Sequence, residues 1–137
     1  KKQSINVMFK VVGTHDNKAI TEIVGYALSP SSIKRFVRRG RARIDTSFVC
    51  KTADDKAVRI KPFIVTAFDC SRSLASAIQK RTIECLVREV TKKEYKHVVR
   101  DLVEGRLQSR LYDALKKIVK RITAKVSGVT KVVYDIA

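Results

Sequence analysis

Near Ser73 the hydrophobic period of this chain passes from mainly two to a long helical stretch, and that change constrains its fold more than any other feature. Before it, apolar residues recur every second position, as on a strand with one buried face. Ile5, Val7, Phe9 and Val11 alternate with Asn6, Met8, Lys10 and Val12. Gly13-Thr14-His15-Asp16-Asn17-Lys18 is rich in turn formers, and a second extended run follows from Ala19 to Leu28. Together they read as a hairpin with a longish loop. Ser29-Pro30 then opens a short helix, since Ser can cap and Pro is tolerated at the first helical position. Ile33, Phe36 and Val37 form its apolar stripe, and Gly40 is placed to end it. A second hairpin runs from Ile44, Thr46, Phe48 and Cys50 through the turn Ala53-Asp54-Asp55-Lys56. Val58 and Ile60 resume the pattern, which continues through Ile64 to Phe68. Pro62 has no N–H to donate, so it points to an edge position or a bulge.

Beyond Ser73 the period is helical. Leu74, Ile78, Cys85, Leu86 and Val90 share one face, widened by Ile83 and Val87. Thr91-Lys92-Lys93-Glu94 reads as a capping box opening a third helix. That helix has the stripe Tyr95, Val98, Val99, Leu102 and Val103, and Gly105 closes it. A fourth helix carries Leu107, Leu111, Ala114, Leu115, Ile118 and Ile122. The tail, with Val126, Val129, Val132 and Val133 around Gly128, is β-rich. Strands first and helices later predict an α+β fold: two β-hairpins separated by a short basic helix, then three helices and a C-terminal strand. One domain over residues 1–137 accommodates this order. The sequence starts at Lys1-Lys2 rather than Met, almost at the first strand, so it is expected to be part of a longer product.

Charge narrows the function. Thirty Lys and Arg against 13 Asp and Glu give a formal net charge of +17. Self-repulsion at that density opposes folding, and an anionic partner relieves it. The densest cluster is Lys34, Arg35, Arg38, Arg39, Arg41 and Arg43, with no acid between them. Guanidinium forks match phosphate oxygens in pairs, and a rigid helix end would hold them at fixed spacing. A second set, Arg72, Lys80, Arg81 and Arg88, starts in the loop before the long helix and continues on its polar side. Glu84 lies among them, so internal pairing competes with binding there. A third set is Arg106, Arg110, Lys116, Lys117, Lys120, Arg121 and Lys125, where cations also complement a helix C-terminus. Phe9, Phe36, Phe48 and Phe68 fall in core phase. No pair of exposed aromatics on one strand therefore signals a single-strand reader.

Other chemistry is thinly represented. His15 sits in a turn and His97 on a helix, neither near a cysteine or a second histidine at ligand spacing. Cys50, Cys70 and Cys85 are odd in number and widely spaced, which reads as small core hydrophobes rather than a disulfide framework or zinc site. Asp54-Asp55 is accounted for by a hairpin turn. There is no Gly-rich phosphate loop, GxSxG or HExxH. The expectation is therefore a non-enzymatic protein with no cofactor and no metal. The longest apolar run, Ile64-Val65-Thr66-Ala67-Phe68, is far below the ~20 residues a membrane helix needs, so no membrane partner is expected. Composition alone also accommodates a free-standing RNA- or DNA-binding regulator.

Phe36-Val37-Arg38-Arg39-Gly40-Arg41-Ala42-Arg43-Ile44-Asp45 resembles the basic helix and following strand of the archaeal and eukaryotic small-subunit ribosomal protein family S-one-e, or S-three-a-e. Gln79-Lys80-Arg81-Thr82-Ile83 with Val87-Arg88-Glu89 is a second match. Phe9-Lys10-Val11-Val12 with Ile23-Val24-Gly25 is a third, so the resemblance runs from about Ile5 to Ile122. It leans towards the archaeal form. The resemblance implies a barrel-like sheet and a place on the small-subunit platform, near the messenger exit and the 3′ end of the small-subunit rRNA. It implies rRNA contact by Arg38, Arg39, Arg43, Lys80 and Arg81. Neighbouring small-subunit ribosomal proteins and messenger RNA near the exit would be further partners, in cytoplasmic ribosomes. The family also has a basic N-terminal extension with further strand structure. The Tyr-Pro-Leu-like stretch of the family has no counterpart near Ile118 to Thr123.

Overall fold

The computed structural model describes residues 5–119 and 131–135. They form β1 (Ile5–His15), β2 (Lys18–Leu28), α1 (Pro30–Phe36), β3 (Arg43–Asp45), β4 (Phe48–Lys51) and β5 (Ala57–Val65). Then follow α2 (Arg72–Thr91), α3 (Tyr95–Glu104), α4 (Arg106–Val119) and β6 (Lys131–Asp135). The α+β order matches the sequence reading. The sheet runs β1-β2-β6-β5-β3, with β4 also on β5, and every pair is antiparallel. The C-terminal strand thus sits between the two hairpins, a pairing no local pattern specifies. Among the described residues β1 has no second partner and does not pair with β3 or β4. Among these residues the sheet is open there, and they do not form the barrel-like closure expected from the resemblance.

The first hairpin is tighter than its composition indicated. Pairing extends to His15↔Lys18, leaving a two-residue turn at Asp16 and Asn17. Both have positive φ, 48° and 59°, the type I′ geometry that matches strand twist. Register shifts between Met8 and Phe9, and again between Val11 and Gly13, break the period-two face. Ile5 and Val7 pack against the core, but Phe9 and Val11 are 59% and 58% exposed. Met8 and Val12 are 48% and 62% exposed as well, so both faces of this part of β1 are uncovered and Phe9, expected in the core, lies outside it. Phe68 is likewise 65% exposed, since β5 ends at Val65 before reaching it.

Pro62 resolves differently from either simple expectation. It lies on an interior strand, between β6 and the β3–β4 edge, and is fully buried. Asp45↔Phe63 and Phe48↔Ile60 keep one continuous register across β3 and β4. Only Thr46 and Ser47, opposite Pro62 and Lys61, drop out of the ladder. The edge strand is broken where its neighbour offers no donor.

The core lies between the sheet and the helices. Val58, Ile60 and Ile64 of β5 cluster with Ile78, Leu86 and Val90 of α2, Val98 and Leu102 of α3, and Leu107, Leu111 and Leu115 of α4. Burying each large aliphatic contributes about 1.5–3 kcal/mol. Thr82 is also fully buried, where the apolar pattern gave no sign of it, and its hydroxyl donates to the Ile78 carbonyl at 2.7 Å. The stripes are narrower than read: Val37, Val87 and Val103 are exposed. The Ile118 side chain, Ile122, Val126, Gly128 and Val129 lie outside the described residues.

The second hairpin docks on the α2–α3 junction through its turn. Thr91 closes α2 instead of capping α3, and Glu94 holds the N-cap position without a capping hydrogen bond from its side chain. The cap comes from elsewhere in the chain: Asp54 Oδ2 accepts the Tyr95 N–H at 3.1 Å. The Ala53 N–H donates to the Lys93 carbonyl at 3.0 Å. Tyr95, buried, donates its hydroxyl to the Ile23 carbonyl at 2.6 Å and so ties α3 to β2.

Candidate nucleic-acid interface

The basic segment is pinned at both ends by uncharged groups. Ser29 is extended (φ −63°, ψ 141°) and Pro30 follows it, so α1 starts where the sequence places it. The Ser32 N–H donates to the Ser29 carbonyl at 3.0 Å. Ile33 and Phe36 face inward onto Leu28, Phe63 and Val65, a satellite of the main core. Lys34 and Arg35 occupy the last turn of α1, facing solvent. The helix stops at Phe36, and Val37 is already extended at φ −80°, ψ 109°. Arg38, Arg39 and Arg41 are therefore not on the helix but on the connection after it. Gly40 turns that connection with φ +76°, a region open to glycine. The far end is fixed at Ala42, whose N–H donates to Thr66 Oγ1 at 3.0 Å while its carbonyl accepts the Thr66 N–H at 3.0 Å. Helix, turn and strand thus present six cations on a short path with anchored ends.

All six of these side chains are exposed. Among the described residues, no carboxylate lies within ion-pair distance of Lys34, Arg35, Arg38, Arg39 or Arg41. Arg43 differs. Its Nε and Nη2 both sit 2.6 Å from Asp45 Oδ2, and its guanidinium lies over the Phe63 ring, 5.3 Å from the centroid.

The acids are spent elsewhere. Glu22 pairs with Lys56 at 3.1 Å, Asp55 with Lys51 at 3.2 Å, and Glu94 with His97 at 3.7 Å. A cluster at the helix ends takes Glu89, Asp101 and Glu104. Lys93 lies between Asp101 and Glu89, Arg106 contacts Glu104 at 2.8 Å, and Arg110 contacts Glu89 at 2.6 Å. The Lys93 hydrogen bond holds the Asp101 carboxyl below its ordinary pKa, and Glu89 raises that of Arg110. Arg106 and Arg110, two of the third basic set, are thus engaged in packing α4. Lys116 lies near the Tyr112 ring, 5.9 Å from its centroid. The Lys117 side chain, Lys120, Arg121 and Lys125 lie outside the described residues.

The α2 set forms a separate group. Arg72 is the first residue of the helix rather than part of the loop, and Arg72, Lys80, Arg81 and Arg88 are all exposed. Arg81 pairs with Glu84 at 3.3 Å. The link between the groups is a hydrogen bond from Gln79 Nε2 to Thr46 Oγ1 at 3.1 Å, which fastens α2 to the break in the edge strand. The charge run did not single out Lys61 or Phe63. Lys61 was legible, since the alternation Val58, Ile60 inward puts Lys61 outward. The stacking of Arg43 on Phe63 depends on the β3–β5 pairing and had no local signal.

His15 and His97 are exposed, and among the described residues no group of three His, Cys, Asp or Glu could hold a metal. All three cysteines are free; Cys50 is buried and Cys70 and Cys85 are half-buried. Burial raises each thiol pKa, which lowers its thiolate fraction. Among the described residues no helix is long and apolar enough to cross a membrane.

The chain is 29% identical over 114 residues to the small ribosomal subunit protein eS1 of Saccharolobus solfataricus, covering 83% of this chain and 55% of that protein. It is 28% identical over 123 residues to the eS1 protein of Methanobrevibacter smithii, covering 88% of this chain and 64% of that protein. It therefore spans between about half and two thirds of the length of these relatives. The model of the Ribosomal S3Ae family matches residues 1–133, and with nearly the whole sequence matched, this chain belongs to that family.

Proposed function

We propose that this chain is a structural constituent of the small ribosomal subunit that docks on folded rRNA through the segment from Lys34 to Arg43. One observation carries the reading: five exposed cations that meet no carboxylate among the described residues stand together while acids elsewhere in the chain engage other cations. Such a cluster is repulsive in isolation and favourable against a phosphate backbone. Contacts of this kind position a protein on folded RNA and read little sequence. Relatives bear the name of a small ribosomal subunit protein, which supports the same assignment. The α2 cations Arg72, Lys80, Arg81 and Arg88 would extend the footprint. Its place would be the platform near the messenger exit, among neighbouring small-subunit proteins and close to messenger RNA. No catalysed step is part of this role.

Binding to a small-subunit rRNA fragment should weaken as salt rises, with log K falling linearly against log salt. Changing Arg38 and Arg39 together to Glu should flatten that slope by about two units and reduce co-sedimentation with small subunits. A slope indifferent to both changes would refute the assignment of these residues.

A further inference from the structure

Arg43 is built differently from its basic neighbours, and the difference points to a different ligand group. Its guanidinium already shares its charge with Asp45 through two contacts to the same carboxylate oxygen. That makes it a weaker phosphate ligand than Arg38 or Arg39. The same two contacts, with Phe63 beneath, fix the orientation of the guanidinium plane. Arg43 is still half-exposed, so the plane is not covered over. It borders a cleft of about 470 Å³, lined also by Ile33, Asp45, Thr46, Ser47, Lys61 and Phe63. That volume is in the range of small-ligand sites. Thr46 and Ser47 lie at the gap in the edge strand opposite Pro62, where the ladder is interrupted.

Resting on the RNA-docking role above, we propose that this cleft receives one unpaired nucleobase of the bound RNA, stacked on the Arg43 guanidinium. Phe63, Arg43 and the base would form a three-layer stack. Guanidinium planes accept bases in this way, and an unpaired base can be splayed out where a paired one cannot. The Thr46 and Ser47 hydroxyls and the Asp45 carboxylate supply hydrogen-bonding groups for a base edge. Lys61 lines the same cleft and brings positive charge for the attached phosphate. Arg43 thus contacts a base, while Arg38, Arg39 and Arg41 contact phosphates.

The test uses two RNA stems of equal length, one fully paired and one with a single bulged 2-aminopurine. Binding of the parent chain should raise the emission of the bulged fluorophore, because the base leaves the neighbouring bases that quench it. Arg43→Lys keeps the charge and removes the plane. It should abolish the rise and weaken binding to the bulged stem roughly tenfold, the worth of one stacked base. The salt slope should stay the same, since the charge is kept, and the loss of affinity for the paired stem should be much smaller. Phe63→Leu, checked for an intact fold by its thermal transition, should reduce the rise with all cations in place. Binding without a rise, or a rise that survives Arg43→Lys, overturns this proposal alone. Salt-insensitive binding of both stems overturns the phosphate reading and this one with it.

Discussion

Asp101 shows how a single side chain settles what a run of charges means. It accepts from Lys93 and lies 3.9 Å from Arg106, with its own side chain only 14% exposed. These contacts hold its folded pKa below the unfolded value. A carboxylate shifted this way adds stability that is complete above the unfolded pKa and is lost as pH falls through the folded one. Asp101→Asn should therefore cost about 1.5 kcal/mol near neutral pH, the lower range for a hydrogen bond to a charged group. The denaturation midpoints of variant and parent should draw together as pH falls through the folded-state pKa of Asp101 and the parent carboxyl takes up its proton. A difference that persisted undiminished in acid would show that Asp101 acts through shape and not charge. From sequence, Arg106 and Arg110 belong to a basic set that either binds an anion or complements a helix C-terminus. Glu89 stands 21 positions before Arg110, so only the packing of α2 on α4 reveals that this cation is engaged, whereas Arg106 meets the neighbouring Glu104. The Lys34 to Arg43 run was legible because it is contiguous and free of acids up to Asp45, so few local folds could neutralise it.

At the scale of elements, the junction of α2 and α3 separates local from long-range causes. Thr91-Lys92-Lys93-Glu94 has the spacing of a capping box, yet Asp54 supplies the cap from the β4–β5 turn. Asp54→Ala should cost about 1 kcal/mol, as loss of a helix cap does. Thr91→Ala and Glu94→Ala should each stay within about 0.5 kcal/mol, since neither side chain caps α3. Urea denaturation of the three variants decides the matter; a larger loss at Thr91 than at Asp54 would restore the local explanation. Most element identities were readable because period two and period 3.6 are local signals. The readings that missed did so where a partner strand decides. The bulges of β1 depend on β2, and the place of Pro62 depends on β6 and the β3–β4 edge. The early end of α1 follows the same rule, with Phe36 drawn into the Leu28, Phe63 and Val65 cluster and Ala42 bonded to Thr66.

Across the whole molecule, two electrostatic demands oppose each other. A formal charge of +17 repels itself in the free chain, and the ion pairs found among the described residues relieve only part of it. The stretch from Lys34 to Arg41 contributes strongly, because its five cations meet no carboxylate among the described residues. Added salt screens this repulsion, over about 10 Å at 0.1 M, and should stabilise the free chain. The same salt competes with the phosphates of RNA and should weaken the complex. The two effects have opposite signs in one buffer series, which separates them from a general effect of salt on folding. From about 0.02 M to about 0.2 M salt the thermal midpoint of the free chain should rise by several degrees, the amount that roughly 1 kcal/mol gives at this size. Over the same range RNA affinity should drop. With RNA in excess at low salt the midpoint should rise further, because ligand bound only to the folded state adds its binding free energy. The Arg38 and Arg39 to Glu double variant lowers the repulsion at its densest point, so its free form should melt higher than the parent at low salt and gain less from added RNA. A free chain whose midpoint falls with moderate salt, or a double variant no more stable than the parent, would mean that the exposed cations are neutralised within the fold and have no need of a polyanion.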